Sequence, residues 1–287
     1  MPRDQFIHYR QIAHGLLALL LGGGLNLAAA EPGGTSALFN GTNLAGFSTW
    51  LVDTRHEDPR RVFTVTNRMI RISGEGLGYL ATSREYHDYR LIVEFKWGDK
   101  NWDWGRRVGR ARDSGIFLHS IGPDGNSHDG HGAFMAAIEC NLFQGATGDL
   151  LLIHGTDTDG SPLAPRLTAE VASERDADGW FTWQRRGRPQ TIERWGRLNW
   201  SQKSQRWKDE LDFRGARDVE KAYGQWNRIE CLCDGGRIVV RLNGRQINEA
   251  FDVWPRAGKI LLQCEGSEIF FRRFELQPLK PGERRKD

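Results

Sequence analysis

The chain has 287 residues, which suffices for one large domain or two small ones, and its charges nearly balance. Of the net charge of +3, two arginines and one aspartate in the first thirty residues contribute +1, which leaves +2 for the remainder. This balance excludes the strongly basic stripe of a nucleic-acid-binding protein. The 34 glycines and 11 tryptophans are typical of a turn-rich β-sandwich, in which tryptophan fills the core or stacks on sugars.

The first thirty residues have the pattern of a cleavable signal peptide. Arg3 and Arg10 flank the start of an apolar run over 12–27, and three small residues at 28–30 form a cleavage site before Glu31. The run is too short and glycine-rich for a membrane span, although a retained anchor helix is the alternative. No cysteine follows it, so we expect no lipid attachment. The sequence therefore predicts a periplasmic or secreted protein, off the membrane after signal cleavage.

Short β-strands separated by turn residues fill most of the remaining chain. Asp234-Gly235-Gly236 and Asn243-Gly244 are hairpin turns, and Thr66-Asn67 is a third candidate. Only 219–223 and parts of 165–176 could be helical. The pattern predicts an antiparallel β-sandwich formed as one domain over 31–287, with loops and extra hairpins inserted at about 157–217. The predicted strands are 62–65, 69–72, 89–97, 115–120, 136–144, 150–154, 226–233, 237–242, 259–264 and 269–277.

Four cysteines lie inside these apolar strand patterns, at Cys140, Cys231, Cys233 and Cys264. Cys231 and Cys233 share one face of a strand and are poorly placed to bridge each other. Cys264 could pair with either from a neighbouring strand, and free buried thiols are at least as well supported. No paired C-x-x-C spacing of a metal site is present.

The strand over 136–144 separates polar from apolar side chains. Strand alternation places Glu139 and Asn141 on one face and an apolar set on the other, so we expect one wet face of the sheet. The same alternation over 115–119 predicts that His119 lies near Glu139. A structural salt bridge of Glu139 and a hydrogen-bonded strand histidine are the competing interpretations.

Further candidates for chemistry lie at strand ends and in loops. His154 closes a strand, where its side chain could reach a cleft. The loop 122–132 holds two histidines, and His119, Glu139 and His131 are candidate ligands of a divalent cation. The competing interpretation is that 122–132 is only a solvated, glycine-rich loop. Trp102 and Trp104 are candidates for stacking on sugar rings, or for plugging the end of the sandwich.

Five segments carry family-like motifs in order along the chain, at 38–47, 112–119, 138–142, 224–230, and 259–263 with 270–276. Together they resemble the 3-keto-disaccharide hydrolase family. Phe47 stands where the family has tryptophan, Asp113 where it has asparagine, and Asn141 where glutamine is usual. The resemblance implies a concanavalin A-like jelly roll of two antiparallel sheets. It also implies cleavage of disaccharides or glycosides already oxidised to a ketone at C3.

The expected chemistry follows from the absence of a second acid on the Glu139 strand. Ordinary glycosidases need two carboxyl groups, whereas a C3 ketone acidifies the C2 proton, so that one base can start elimination at C1, followed by hydration. We predict His119, Glu139 and His154 as catalytic residues, with His119 or His154 as the base and no organic cofactor. The predicted substrate-binding residues are Asp113, Asn141, Gln144, Trp102 and Trp104. The alternatives are a non-catalytic carbohydrate-binding module of the same fold and a structural envelope domain.

Overall fold

Two β-sheets packed face to face make up the computed structural model, which describes residues 27–29, 34–103, 106–128, 131–194 and 196–280. None of these residues lies in an α-helix. The described part of the chain therefore has no helix long and apolar enough to cross a membrane. The fold is all-β, as the turn and strand pattern predicts, and is a jelly-roll sandwich.

The back sheet is built on β8 (Tyr89–Asn101), the longest strand among the described residues. Its strands are β2 (Ser36–Ala37), β4 (Phe63–Thr66), β5 (Met69–Ile72), β8, β18 (Asn227–Asp234), β19 (Arg237–Leu242), β20 (Arg245–Trp254) and β22 (Ser267–Gln277). They lie in the order β4, β5, β22, β8, β18, β19 and β20, with β2 also beside β22.

The front sheet carries the Glu139 strand near its middle. Its strands are β3 (Phe47–Leu51), β6 (Leu77–Thr82), β9 (Asp113–Ile121), β10 (Ala136–Phe143), β11 (Leu150–Ile153), β14 (Arg166–Arg175), β15 (Phe181–Trp183), β16 (Arg188–Ile192), β17 (Arg197–Asn199) and β21 (Lys259–Glu265). They lie in the order β3, β6, β21, β9, β10, β11, β17, β15, β14, β16. Strand β14 also pairs with the end of β20, which joins the two sheets.

Two small pairs lie outside these sheets. Strand β1 (Leu27–Ala29) runs parallel to β7 (Glu85–His87), and β12 (Gly155–Thr156) is antiparallel to β13 (Pro162–Leu163). The segment 157–217, which the sequence suggests as an insertion, contributes β14 to β17 to the front sheet.

The core lies between the sheets and follows from strand alternation. Ile116, Ile138 and Leu142 of the front sheet meet Phe95 and Ile229 of the back sheet in one buried cluster. Removing each such side chain from water contributes about 1.5–3 kcal/mol. All four cysteines are free and buried.

Turn chemistry fixes the register of the hairpins. Asn243 and Gly244 have φ values of 50° and 84°, and Leu242 pairs directly with Arg245 around them. Two positive φ values in a two-residue loop match the twist of the flanking strands, and Asn-Gly adopts them at low cost. The hairpin predicted around Thr66-Asn67 forms with its turn one residue later, at Asn67 and Arg68.

The two weak helix predictions are wrong. Residues 166–175 form β14, in which Leu167, Ala169 and Val171 alternate into the core. Residues 219–223 form no helix. Tertiary burial of a period-two apolar pattern outweighs local helix propensity in β14.

Candidate functional site

The outer face of the front sheet, which points away from the back sheet, carries a group of polar side chains on three neighbouring strands. Strands β9 and β10 pair with Glu139 opposite Phe117 and Asn141 opposite Gly115. Strand β21 lies on the other side of β9, with Leu262 opposite Ile116, so Gln263 is next to Gly115. We refer to Asp113, Gly115, Glu139, Asn141 and Gln263 as the candidate site.

Gly115 makes room for the carboxylate at the centre of this site. A Cβ atom on residue 115 would lie 2.4 Å from Glu139 Oε1 and 2.9 Å from Gln263 Oε1. Glu139 therefore leans along the sheet over the bare backbone of β9, toward Gln263. Glycine is needed here for close approach and not for its backbone angles, since its φ lies outside the left-handed region.

Two amide oxygens of the candidate site are buried without a donor. Asn141 Oδ1 and Gln263 Oε1 have no hydrogen-bond partner among the described residues. The side chains are only 3% and 2% exposed, and Gln263 Nε2 is engaged by Glu265 Oε2 at 2.6 Å. A buried acceptor without a donor costs about 1–3 kcal/mol. Such oxygens match the hydroxyl donors of a sugar.

Asp113 adds a second carboxyl to the same face. Its carboxylate lies 3.5 Å from Arg107 Nη1, and its backbone N–H donates to Ser267 Oγ at 3.0 Å. Burial raises the pKa of Asp113 to about 7, although Arg107 and Arg197 oppose this rise. A carboxyl in this range can hold a proton at neutral pH and release it. The Glu139 strand itself carries no second acid, and the second carboxyl of the candidate site lies on the neighbouring strand β9.

Arg197 is held at the edge of the site by a buried anchor. It pairs opposite Leu151, which in turn pairs opposite Glu139. The fully buried Asp149 accepts hydrogen bonds from Arg197 Nε at 2.8 Å and from Lys203 Nζ at 3.2 Å. A fixed guanidinium group is suited to stabilising negative charge that develops on a substrate oxygen.

His119 lies on the opposite side of the front sheet from Glu139, so the predicted proximity of the two is wrong. Its φ is 53°, and the register shifts at this point in the pairing of β9 with both neighbours. This bulge breaks the alternation on which the prediction rested. The ring is fully buried against Tyr89 of the core, at 5.8 Å between centroids, and Nδ1 donates to the Pro255 carbonyl at 2.9 Å. Burial lowers the pKa of His119 to about 4.

His154 and His131 also lie apart from Glu139. His154 follows the last residue of β11 and hydrogen-bonds to the carbonyl of Pro165; burial lowers its pKa. His131 is exposed on the loop 122–132. The suggested cation ligands His119, Glu139 and His131 are therefore not brought together. The described part of the chain also contains no cluster of three or more His, Cys, Asp or Glu side chains arranged around a metal position.

The remaining predicted binding residues are engaged by the protein itself or lie outside the described residues. Gln144 Oε1 accepts from the backbone N–H of Arg112 at 3.0 Å, and its Nε2 donates to Asp212 at 3.2 Å. Trp102 Nε1 donates to the Ser73 carbonyl at 2.7 Å. Trp104 lies outside the described residues. Stacking of Trp102 and Trp104 on a sugar remains a prediction.

Neighbouring loops pack over the polar face, so it is less wet than expected. Glu139 is only 4% exposed. Ala133, Phe134 and Met135 pack against Phe117 in a second apolar cluster on this face. The ring centroids of Phe117 and Phe134 are 5.3 Å apart. Polar groups in such a covered site interact more strongly than they would in water.

The sequence did not single out Gln263, Gly115, Arg107 or Arg197. Gln263 and Gly115 lie in two of the segments that resemble the family, and Gln263 is also an isolated polar residue in an apolar strand. The two arginines could be placed only by knowing which strands are neighbours.

The match to a protein family places this jelly-roll sandwich among the carbohydrate-active, glycosyl hydrolase-like proteins. The model of the family described as the 3-keto-alpha-glucoside-1,2-lyase-like domain matches residues 34–277. The chain belongs to this family, and the resemblance drawn from the five segments is confirmed.

Several solved structures are similar to the chain. A Parabacteroides distasonis protein provisionally described as a glycosyl hydrolase is 15% identical, with 86% of this chain and 94% of that one covered and a TM-score of 0.47. A Bacillus licheniformis β-glucanase is 12% identical, with 87% and 100% covered and a TM-score of 0.44. The carbohydrate-binding module CBM66 from Bacillus subtilis is 11% identical, with 80% and 93% covered and a TM-score of 0.41. No curated protein matches the chain.

Proposed function

We propose that the chain cleaves 3-keto-glycosides by removing the C2 proton, eliminating the C1 substituent and hydrating the product. The observation that carries this proposal is the Glu139 carboxylate over Gly115, beside the unpartnered oxygens of Asn141 and Gln263. A base among hydroxyl-accepting groups suits proton abstraction from a bound sugar. The membership of the family supports the same chemistry.

Glu139 replaces the histidines as the proposed base, because neither His119 nor His154 lies in the candidate site. Glu139 takes the C2 proton, and the electron pair of that C–H bond forms an enolate whose charge rests on the C3 oxygen. The guanidinium groups of Arg107 and Arg197, whose charges act on the Asp113 carboxyl, stabilise that negative charge.

Asp113 is the proposed acid. As the enolate collapses, the C1–O bond breaks, its electron pair goes to the leaving oxygen, and Asp113 donates a proton to that oxygen. Water then adds across the C1–C2 double bond, with hydroxide at C1 and a proton at C2. No step is routed through a cation, because the residues suggested as its ligands do not converge.

Replacing Glu139 by glutamine tests the assignment of the base. We expect E139Q to lower kcat on a 3-keto-glucoside by about 10²–10⁴, the usual contribution of a positioned base. The affinity for the sugar should persist, because the amide keeps the shape of the carboxylate. Released sugar is measured by chromatography and binding by calorimetry. Wild-type turnover in E139Q would exclude Glu139 as the base. If the unaltered protein binds the sugar but does not cleave it, a carbohydrate-binding module is favoured instead.

A further inference from the structure

A pocket opens on the same face of the front sheet as the candidate site, on the far side of Asp113 from Glu139. It has a volume of about 360 Å³ and is lined by Val52, Asp53, Arg60, Glu75, Gly76 and Leu77. Leu77 pairs opposite Glu265, and the register of β21 with β9 places Glu265 next to Asp113. Two strand spacings therefore separate Leu77 from Asp113, about 10 Å, roughly the length of two joined six-membered rings.

The lining of this pocket combines aliphatic and charged side chains. Val52 and Leu77 are half-buried and pack against the apolar cluster on this face that includes Trp50 and Tyr79. Arg60 binds the exposed Asp53 in a bidentate pair, at 2.6 and 3.0 Å.

None of the described residues that line the pocket is aromatic. Proteins commonly hold sugar rings against the faces of aromatic side chains. Aliphatic side chains instead favour the binding of a flat apolar ring, because its surface is buried against them. The ring edge could offer a hydroxyl to the Asp53 carboxylate, which is exposed. The lining therefore favours an aromatic leaving group over a second sugar.

The geometry points to this pocket as the site for the leaving group, and to an aryl alcohol as its preferred class. The inference rests on the proposed function, because Asp113 then stands between the sugar and the leaving group. In the cleavage step the C1–O bond breaks, its electron pair goes to the aryl oxygen, and the proton from Asp113 completes the released phenol.

The test compares the cleavage of phenyl and methyl 3-keto-glucosides by the wild type and by V52T. This substitution keeps the shape of the side chain and replaces one methyl group by a hydroxyl. We expect the ratio of kcat/KM for the phenyl compound to that for the methyl compound to fall about tenfold in V52T. The reason is that a small change in apolar contact within a pocket alters the preference between two substrates by about tenfold or more. The control V65T makes the same change on β4 of the back sheet and should leave the ratio unaltered. An unchanged ratio in V52T would overturn the inference and leave the proposed function standing.

A binding measurement decides the inference even if neither compound is cleaved, an outcome that would refute the proposed function. Calorimetry with unoxidised phenyl glucoside, methyl glucoside and a glucosyl disaccharide needs no turnover. The inference requires phenyl glucoside to bind most tightly, and V52T to weaken that binding about tenfold. Tighter binding of the disaccharide, or a phenyl preference that survives V52T, would overturn it.

Discussion

Adding one methyl group at Gly115 should damage the candidate site while leaving the fold largely intact. The Cβ of G115A would lie 2.4 Å from Glu139 Oε1, so this oxygen must move about 1 Å to reach ordinary contact at 3.4 Å. Gln263 Oε1, at 2.9 Å, must move by about half as much. A displacement of about 1 Å of a catalytic group can cost about 10² in rate.

The expected cost in stability is much smaller, because the displaced atoms are the ends of side chains. Alanine at a strand glycine gains about 0.5–1 kcal/mol in backbone entropy, and local overpacking costs about 1–3 kcal/mol. We expect G115A to lose about 1–2 kcal/mol of unfolding free energy in urea and about 10² in kcat/KM on a 3-keto-glucoside.

Gly98 offers a matched control on the back sheet. A Cβ there would lie 2.4 Å from Glu268 Oε2 and 2.5 Å from Glu268 Cγ, which is a tighter clash between an added methyl group and a glutamate side chain. G98A should lose at least as much stability as G115A and keep wild-type kcat/KM. Full activity in G115A, or an equal loss of activity in both variants, would refute the role assigned to Glu139 above Gly115.

Three further predictions concern charged and titratable groups. The buried His119 has its pKa lowered to about 4, so the unfolded chain binds more protons below pH 6.5 and stability falls as the pH falls. Urea titrations should show about 3 kcal/mol less unfolding free energy at pH 4 than at pH 7 from this group. H119N should reduce this dependence of the unfolding free energy on pH. An unaltered dependence in H119N would contradict its assignment to His119. Because burial raises the pKa of Asp113 to about 7, wild-type kcat/KM should decline above that pH as the acid loses its proton. In D113N this decline of kcat/KM at alkaline pH should disappear, and kcat/KM should fall by about 10². If D113N keeps the decline, a group other than Asp113 causes it. D149N removes the negative charge that Arg197 and Lys203 both bind. It should lower the unfolding free energy measured in urea by about 3 kcal/mol. A decrease of less than about 1 kcal/mol would contradict the role of Asp149 as an anchor.

The front strand β10 shows how much of the site was readable from sequence. Its period-two pattern correctly separates Glu139 and Asn141 from Ile138 and Cys140, because one face is packed in the core. The hairpin turns were readable for a similar local reason, since Asn-Gly and Gly-Gly pairs specify backbone angles directly.

The position of His119 was not readable, because the bulge in β9 depends on both neighbouring strands. The stretch Phe117-Leu118-His119-Ser120 continues a plausible alternation, and nothing local marks the extra residue. The contribution of Gln263 required the register of β21 on β9, a pairing between segments about 150 residues apart. Long-range register is set by the packing of both sheets together, so a single strand pattern does not contain it.

The most direct test of the proposed chemistry is the fate of the C2 hydrogen when a 3-keto-glucoside is cleaved in deuterated water. Elimination followed by hydration predicts one deuterium at C2 in the released 3-keto-sugar, observed by NMR from the start of the reaction. Samples without enzyme and with E139Q report the uncatalysed exchange. Cleavage that leaves the original hydrogen at C2 would contradict elimination, and would indicate direct hydrolysis by the pair Glu139 and Asp113.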